Sequence, residues 1–109
     1  MSTIRNKVQL IGHVGQEPEI VNLESGKKLA KFSIATNESY TNGGGERKEN
    51  THWHNIIAWG KTAELVEKYV NKGKQLGIEG RLTNRSWDDK NGAKRYITEV
   101  VCNELLLLK

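Results

Sequence analysis

The chain has 109 residues, of which 36% are hydrophobic and 28% charged, and it carries a formal net charge of +4. This length fits a single domain, predicted over residues 1–109, with one modest core. No apolar run is long enough for a transmembrane helix, and the basic balance favours a polyanionic partner.

The N-terminal residues and the single cysteine indicate the cellular compartment to expect. Residues 1–7 contain no apolar stretch of signal-peptide type. Cys102 has no partner for an internal disulfide, and it follows Val100 and Val101, where a small buried hydrophobe is expected. These features favour a reduced, cytoplasmic setting.

The leucine-rich end, residues 104–109, is too short to span a membrane and is predicted to be a frayed strand or to pack against a partner subunit.

Apolar residues alternate in the first part of the chain, which predicts strands at residues 6–14 and 28–37. The predicted inner positions are Val8, Leu10, Gly12 and Val14 in the first strand, and Ala30, Phe32, Ile34 and Thr36 in the second. Residues 38–50 are polar and include three consecutive glycines. They are predicted to form a flexible loop, long enough to suggest a function.

Tryptophans mark the next predicted strand, residues 51–60. Side chains alternate between the two faces of a strand, so Trp53 and Trp59, six residues apart, point to the same side. The period then changes to that of a helix, with Ala63, Val66 and Val70 in one stripe, widened by Leu65 and Tyr69. Thr62 is the predicted N-cap, and Gly73 the predicted stop.

A further strand, residues 75–87, has faces of opposite character. Its even positions carry Leu76, Ile78 and Leu82, and its odd positions carry Arg81, Arg85 and Trp87. Aromatic rings beside guanidinium groups suit a single-stranded nucleic acid, because bases stack on the rings and phosphates are neutralised. The competing interpretation places the tryptophans in the core.

The predicted fold is all-β with one short helix. A hairpin turn at residues 88–92 leads into a last strand, 93–102. Three strands, a helix and two strands are the order of an OB-fold, a five-stranded Greek-key barrel whose strand face and loops bind oligonucleotides and oligosaccharides.

Four regions of the chain resemble bacterial single-stranded-DNA-binding proteins. They are residues 6–19, residues 53–61, residues 72–75 with 78–82, and residues 96–101. They occur in the order and spacing of that family, across nearly the whole chain. The resemblance implies an OB-fold homotetramer that coats single-stranded DNA without strong sequence preference, in replication, recombination and repair, with a cytoplasmic, nucleoid-associated location.

The resemblance also implies individual roles. Trp53, Trp59 and Trp87 fall at positions where aromatic residues stack on bases, and Tyr40 falls where the family often has tryptophan. His54 falls where the family has a histidine at the subunit interface.

Basic residues near the tryptophans are expected to contact phosphates. The expected set is Arg81, Arg85, Lys72 and Lys74. For Arg85 an ion pair with Glu79 or Glu99 is the alternative, and such a pair would leave the salt dependence of binding unchanged.

Other functions are less well supported by the sequence. No nucleophile signature indicates an enzyme, no cofactor is expected, and His52 and His54 lack a further metal ligand. Two alternatives stay open: a primosomal-type assembly protein with weak single-strand binding, and an RNA-binding OB or cold-shock domain.

The family usually continues into a tail with an acidic, apolar tip, which recruits replication and repair enzymes. This chain stops at Lys109, so recruitment through a tail is not supported.

Overall fold

The computed structural model describes residues 4–108. A 3₁₀ turn (Ile4–Asn6) precedes six strands and one helix. In chain order these are β1 (Val8–Val14), β2 (Glu19–Asn22), β3 (Lys28–Thr41), β4 (Arg47–Trp59), α1 (Gly60–Tyr69), β5 (Gln75–Asp88) and β6 (Lys94–Leu107). None of the described helices is both long and apolar enough to cross a membrane.

The strands close into a barrel. Their order is β1-β5-β6-β4-β3-β2, and an additional pairing of β1 with β3 completes the circle. Strands β4 and β6 run parallel, whereas the other pairs are antiparallel. The short β2 pairs with the first residues of β3 and lies outside the closed circle of five strands. The predicted five-stranded OB-fold barrel with one helix is confirmed.

Alternating residues of the strands fill the barrel, and α1 packs against it. The buried apolar residues include Val14, Ala30, Phe32, Ile34, Ile56, Ala58, Leu76, Ile78, Val100 and Cys102 from the strands, with Ala63, Val66 and Val70 from the helical segment. The predicted helix stripe is therefore confirmed. Leu65 and Tyr69 were expected to widen it, but both side chains are nearly half exposed, so the helix packs on the barrel through the Ala63, Val66 and Val70 side alone.

The helix begins and ends earlier than the sequence predicts. Thr62 is not the N-cap: α1 begins at Gly60, with Trp59 in extended conformation before it and no side-chain cap. Gly60 has a φ of 58°, a value that glycine adopts without strain, and this turns the chain directly from β4 into the helix. The helix ends at Tyr69, and Gly73, the expected stop, lies in the following turn at φ 85°.

Residues 38–50 are not a loop. Strand β3 continues to Thr41 and β4 begins at Arg47, and the ladder is unbroken from Leu29 opposite Trp59 to Thr41 opposite Arg47. The Asn42 side chain accepts hydrogen bonds from the backbone of Gly44 and Glu46, which closes the turn. We call residues 37–51 the β3–β4 arm. Apolar alternation requires one buried face, and both faces of the arm are exposed, so no strand pattern is visible there.

The leucine-rich end continues β6. A register shift beside Glu79 and Gly80 leaves Asn103 as an extra residue, and beyond this bulge β6 pairs with β5 up to Leu107 opposite Leu76. At the other end, residues 82–100 form the β5–β6 arm, which extends past the barrel. Leu82 was expected on the buried face, but it is 46% exposed, although Val100 opposite it is buried.

Candidate nucleic-acid interface

One continuous outer face crosses β4, β6 and β5. Ile57 pairs with Val101, and Val101 pairs with Arg81. Side chains of directly opposed residues lie on the same face of a sheet. The odd-numbered residues of these three strands, in this region, therefore share the outer face of the barrel.

Three tryptophan rings are exposed on this outer face. Trp53 is 61% exposed, Trp59 44% and Trp87 43%. Ile56 and Ala58, at intervening positions of β4, are buried. The predicted common side of Trp53 and Trp59 is thus confirmed, and the core interpretation of the tryptophans is not supported. Exposed indole rings cost free energy in water unless a partner covers them.

Trp53 lies across the backbone of Gly15. A Cβ atom at position 15 would be only 2.4 Å from Cζ3 of Trp53 and 3.2 Å from Oγ of Ser33. The backbone N–H of Gly15 donates to the carbonyl of Ser33, which fixes this glycine beside β3. Only a residue without a side chain allows the ring to approach this closely. The sequence interpretation did not identify Gly15 as a support for Trp53.

A groove runs along the outer face between β4 and the β5–β6 arm. We call it the central groove, and its lining includes Lys31, Asn55, Ile57, Trp59, Arg85 and Glu99. The sequence interpretation did not assign Lys31 or Asn55 to the site. Both occupy odd positions, opposite in parity to the buried Ala30 and Ile56. This alternation would have assigned both residues to the outer face from the sequence.

Arg85 is held by Glu99 in this groove. Its Nε donates to Oε1 of Glu99 at 2.8 Å, and its Nη2 donates to Oε2 at 3.3 Å. The hydrogen bond and the charge of Glu99 raise the pKa of Arg85. The guanidinium carbon lies 5.4 Å from the centroid of the Trp87 ring, within the range of a cation–π contact. The ion pair that the sequence left as an alternative is present, and Glu99 is the partner.

Glu79 has other partners. It accepts a hydrogen bond from Gln9 and lies 3.7 Å from the Lys7 ammonium group. Arg85 and Glu79 stand six residues apart on one strand, which separates them by roughly 20 Å. Glu99 instead is two positions from Ile97, the residue opposite Arg85, and such diagonal neighbours are within reach of long side chains.

Further cations lie near the tryptophans. Arg95 stands opposite Trp87 and donates to Asp89 at 2.9 Å. Arg95, with the backbone N–H groups of Ala93 and Asn91, lowers the pKa of Asp89. Arg81 is exposed on the outer face and makes no ion pair within residues 4–108.

The loop after α1 brings two lysines to the end of β1. The N–H of Gly73 donates to the carbonyl of Val14, and the N–H of Val14 donates to the carbonyl of Lys74. Lys72 and Lys74 therefore lie next to Gly15, the residue beneath Trp53.

Two expected site residues lie apart from this set. Tyr40 is opposite Lys48, and by its parity it occupies the face of the β3–β4 arm opposite to Trp53; its ring is half exposed. His54 is partly buried, and its Nε2 lies 2.9 Å from the hydroxyl of Thr36. No group of three or more potential metal ligands occurs among residues 4–108.

Known proteins are similar to this chain in sequence and in fold. The family model described as the single-strand binding protein family matches residues 5–108. The single-stranded DNA-binding protein 1 of Chlorobaculum tepidum is 48% identical over 104 residues, which cover 94% of this chain and 64% of that protein. A solved structure described as the Plasmodium falciparum SSB complex with ssDNA superposes with a TM-score of 0.91 at 36% identity, covering 100% of this chain and 99% of that one.

Proposed function

The chain belongs to the single-strand binding protein family, and on that premise we propose that it binds single-stranded DNA without strong sequence preference. The binding would protect exposed strands in replication, recombination and repair. Both relatives described above carry single-stranded DNA in their names or titles. This family binds DNA rather than catalysing a reaction, and neither an enzymatic activity nor a cofactor is part of the proposal.

The observation that carries the proposal is the exposure of Trp53, Trp59 and Trp87 on one outer face. Each ring offers a π-face that any base can stack on, so the surface tolerates sequence variation. Arg81, Lys72 and Lys74 supply positive charge alongside. Tyr40, on the other side of the β3–β4 arm, would contact a strand that continues around that arm.

A fluorescence titration tests this function. Addition of oligo-dT should strongly quench the intrinsic tryptophan emission, and mixed-sequence single strands should compete with similar affinity. Duplex DNA and RNA of equal length are the controls. Unchanged emission at high oligonucleotide concentration, or stronger binding of RNA, would contradict the proposal. Weak binding by a stable dimer would favour the primosomal-type alternative.

We further propose that the protein assembles as a homotetramer. Ile11 and Leu106 are each 60% exposed, and they pair with Gly77 from either side. This apolar strip, Ile11–Gly77–Leu106, lies on the outer side of β1, β5 and β6, in a part of the sheet separate from the central groove. Because such a strip is costly in water, association of copies through it would stabilise an oligomer.

His54 is the second part of the assembly proposal. It is partly buried, and its bond to Thr36 fixes the ring. Gly12 of β1 lies beside that threonine, since a Cβ at position 12 would be 3.4 Å from its methyl carbon. His54 therefore lies close to β1, the strand that carries Ile11, with Gly12 facing the barrel interior and Ile11 the outer side. Native mass spectrometry with and without oligo-dT gives the number of subunits in the assembly and the number of DNA strands that it binds.

The proposed location is the cytoplasm, in association with the nucleoid. Its support is the basic net charge of +4 together with the proposed DNA ligand, since single-stranded regions arise on the chromosome. Microscopy of a fluorescent fusion would test it, and a signal that does not overlap stained DNA would contradict it.

A further inference from the structure

The ion pair beneath Trp87 combines a buried carboxylate with an exposed guanidinium group. Glu99 is 5% exposed, whereas the side chain of Arg85 is 54% exposed. Glu99 lies in the central groove, on the face that the proposed DNA strand occupies. Within residues 4–108, Arg85 is the only cation that forms an ion pair with Glu99.

The geometry makes this pair difficult to open. Two nitrogens of Arg85 reach the two oxygens of Glu99, which is the two-point contact that suits a guanidinium group. If Arg85 moved to a phosphate, Glu99 would be left buried and charged without a partner. A buried, unpaired charge is strongly unfavourable. The bound polyanion would raise that cost, because the carboxylate lies in the same groove.

Arg85 also supports the ring of Trp87. Its guanidinium carbon lies 5.4 Å from the ring centroid, so the planar cation and the indole lie together on the outer face. Bases stack on both aromatic rings and guanidinium planes. A guanidinium group held by a carboxylate keeps this stacking surface but contributes no net charge.

We propose that Glu99 is a positioning residue that holds Arg85 against Trp87 as a stacking surface for a base and keeps it from the phosphates. This inference rests on the proposed function. It predicts that Arg85 contributes to affinity without contributing to the salt dependence of binding. Arg81, on the same strand and face but without an ion pair to any of residues 4–108, is the matched comparison.

Binding of oligo-dT at several salt concentrations tests the inference. Each phosphate contact on a single strand contributes about −0.7 to the slope of log affinity against log salt. Arg81→Gln should make the slope shallower by up to about 0.7. The double variant Glu99→Gln/Arg85→Gln should keep the wild-type slope and bind roughly two- to fivefold more weakly, as for a lost cation–π contact.

The single variant Glu99→Gln should change the salt slope in the opposite direction. Arg85 is then free to contact a phosphate, and the slope should become steeper, by at most about 0.7. A double variant with the shallower slope of Arg81→Gln would overturn the inference, as would a Glu99→Gln variant with an unchanged slope. If Glu99→Gln does not fold, the double variant decides alone, because it contains no unpaired buried charge.

A second measurement distinguishes positioning from charge. In a Trp53→Phe/Trp59→Phe background, Trp87 is the remaining tryptophan of the chain. Adding Glu99→Gln should change its emission in the free protein and reduce its quenching by oligo-dT, and identical emission and quenching would contradict the positioning role. If the wild type does not bind oligo-dT at all, the proposed function fails, which is a separate result from the slopes.

Discussion

The indole of Trp53 and the backbone of Gly15 form one unit, in which a Cβ atom at position 15 would come within 2.4 Å of the ring. The two residues are 38 positions apart in the chain. Strand β1 carries Gly15 to the edge of β3, while the pairing of Trp53 with Ala35 brings the ring over it. The glycine therefore sets how high the ring stands above the outer face.

Substitution of this glycine should affect binding through the ring. Gly15→Val should displace Trp53 and weaken oligo-dT binding by about 1–3 kcal/mol, the contribution of one stacked base. Gly43→Ala is the control, since nothing lies within 4 Å of a Cβ there. Affinity is measured by fluorescence titration. Equal affinities of Gly15→Val and wild type would show that the ring position does not matter for binding.

Opposite faces of β4 should separate binding from stability. Trp53→Ala should cost about 1–3 kcal/mol of binding free energy and leave the free energy of unfolding little changed, because the ring is 61% exposed. Ile56→Ala should lower the free energy of unfolding by about 2–5 kcal/mol, because Ile56 is buried in the core. Urea denaturation and oligo-dT titration of both variants provide the test. Unfolding of Trp53→Ala would restore the core interpretation of this residue.

Lys72 and Lys74 should contribute through phosphates. Lys72→Ala and Lys74→Ala should each weaken binding to all base compositions alike and make the salt slope shallower by up to about 0.7. Lys68→Ala, in the last turn of α1, is a control for a change of net charge. A loss confined to one base composition would indicate a base contact instead.

The apolar strip and His54 should control assembly. Ile11→Glu places a charge on an exposed strand residue, so the folded subunit should persist while association is lost, because burying an unpaired charge is unfavourable. His54→Lys should lower the assembly state for the same reason. Ser25→Glu, exposed in the turn between β2 and β3, is a control for added charge. Sedimentation at micromolar concentration measures the mass, and a monomeric wild type would refute the tetramer.

Cys102 should make stability depend on pH at the alkaline end. Burial raises the pKa of Cys102 to about 11, from an ordinary value of 9.0. The unfolded chain therefore loses this proton at lower pH than the folded one, and the contribution is complete below pH 9 and falls as pH rises towards 11. The fall is at most about 1.4 kcal/mol per pH unit. Cys102→Ala should lack this component in urea denaturation between pH 8 and 11. Parallel curves for the two proteins would contradict the shift.

The barrel and the tryptophan face follow from alternation in the sequence. In β1 and in the barrel parts of β3 and β4, one face is buried, so apolar residues recur at every second position and mark the inner side. Trp53 and Trp59 fall at the other parity, and the outer face could be identified without the structure. Alternation could not predict the strands of the β3–β4 arm, because both faces of the arm are exposed to solvent and no alternation is required there.

Which residues contact each other across the barrel depends on the tertiary structure. Gly15 supports Trp53 only because β1 closes onto β3, a pairing between distant segments that carries no local signal. Arg85 meets Glu99 because the register of β5 and β6 makes them diagonal neighbours. Distance along the strand was enough to exclude Glu79, but the sequence did not fix the register on which Glu99 depends. Local periodicity assigns a side chain to a face, whereas its neighbours on that face depend on strand pairing and on the bulge at Asn103.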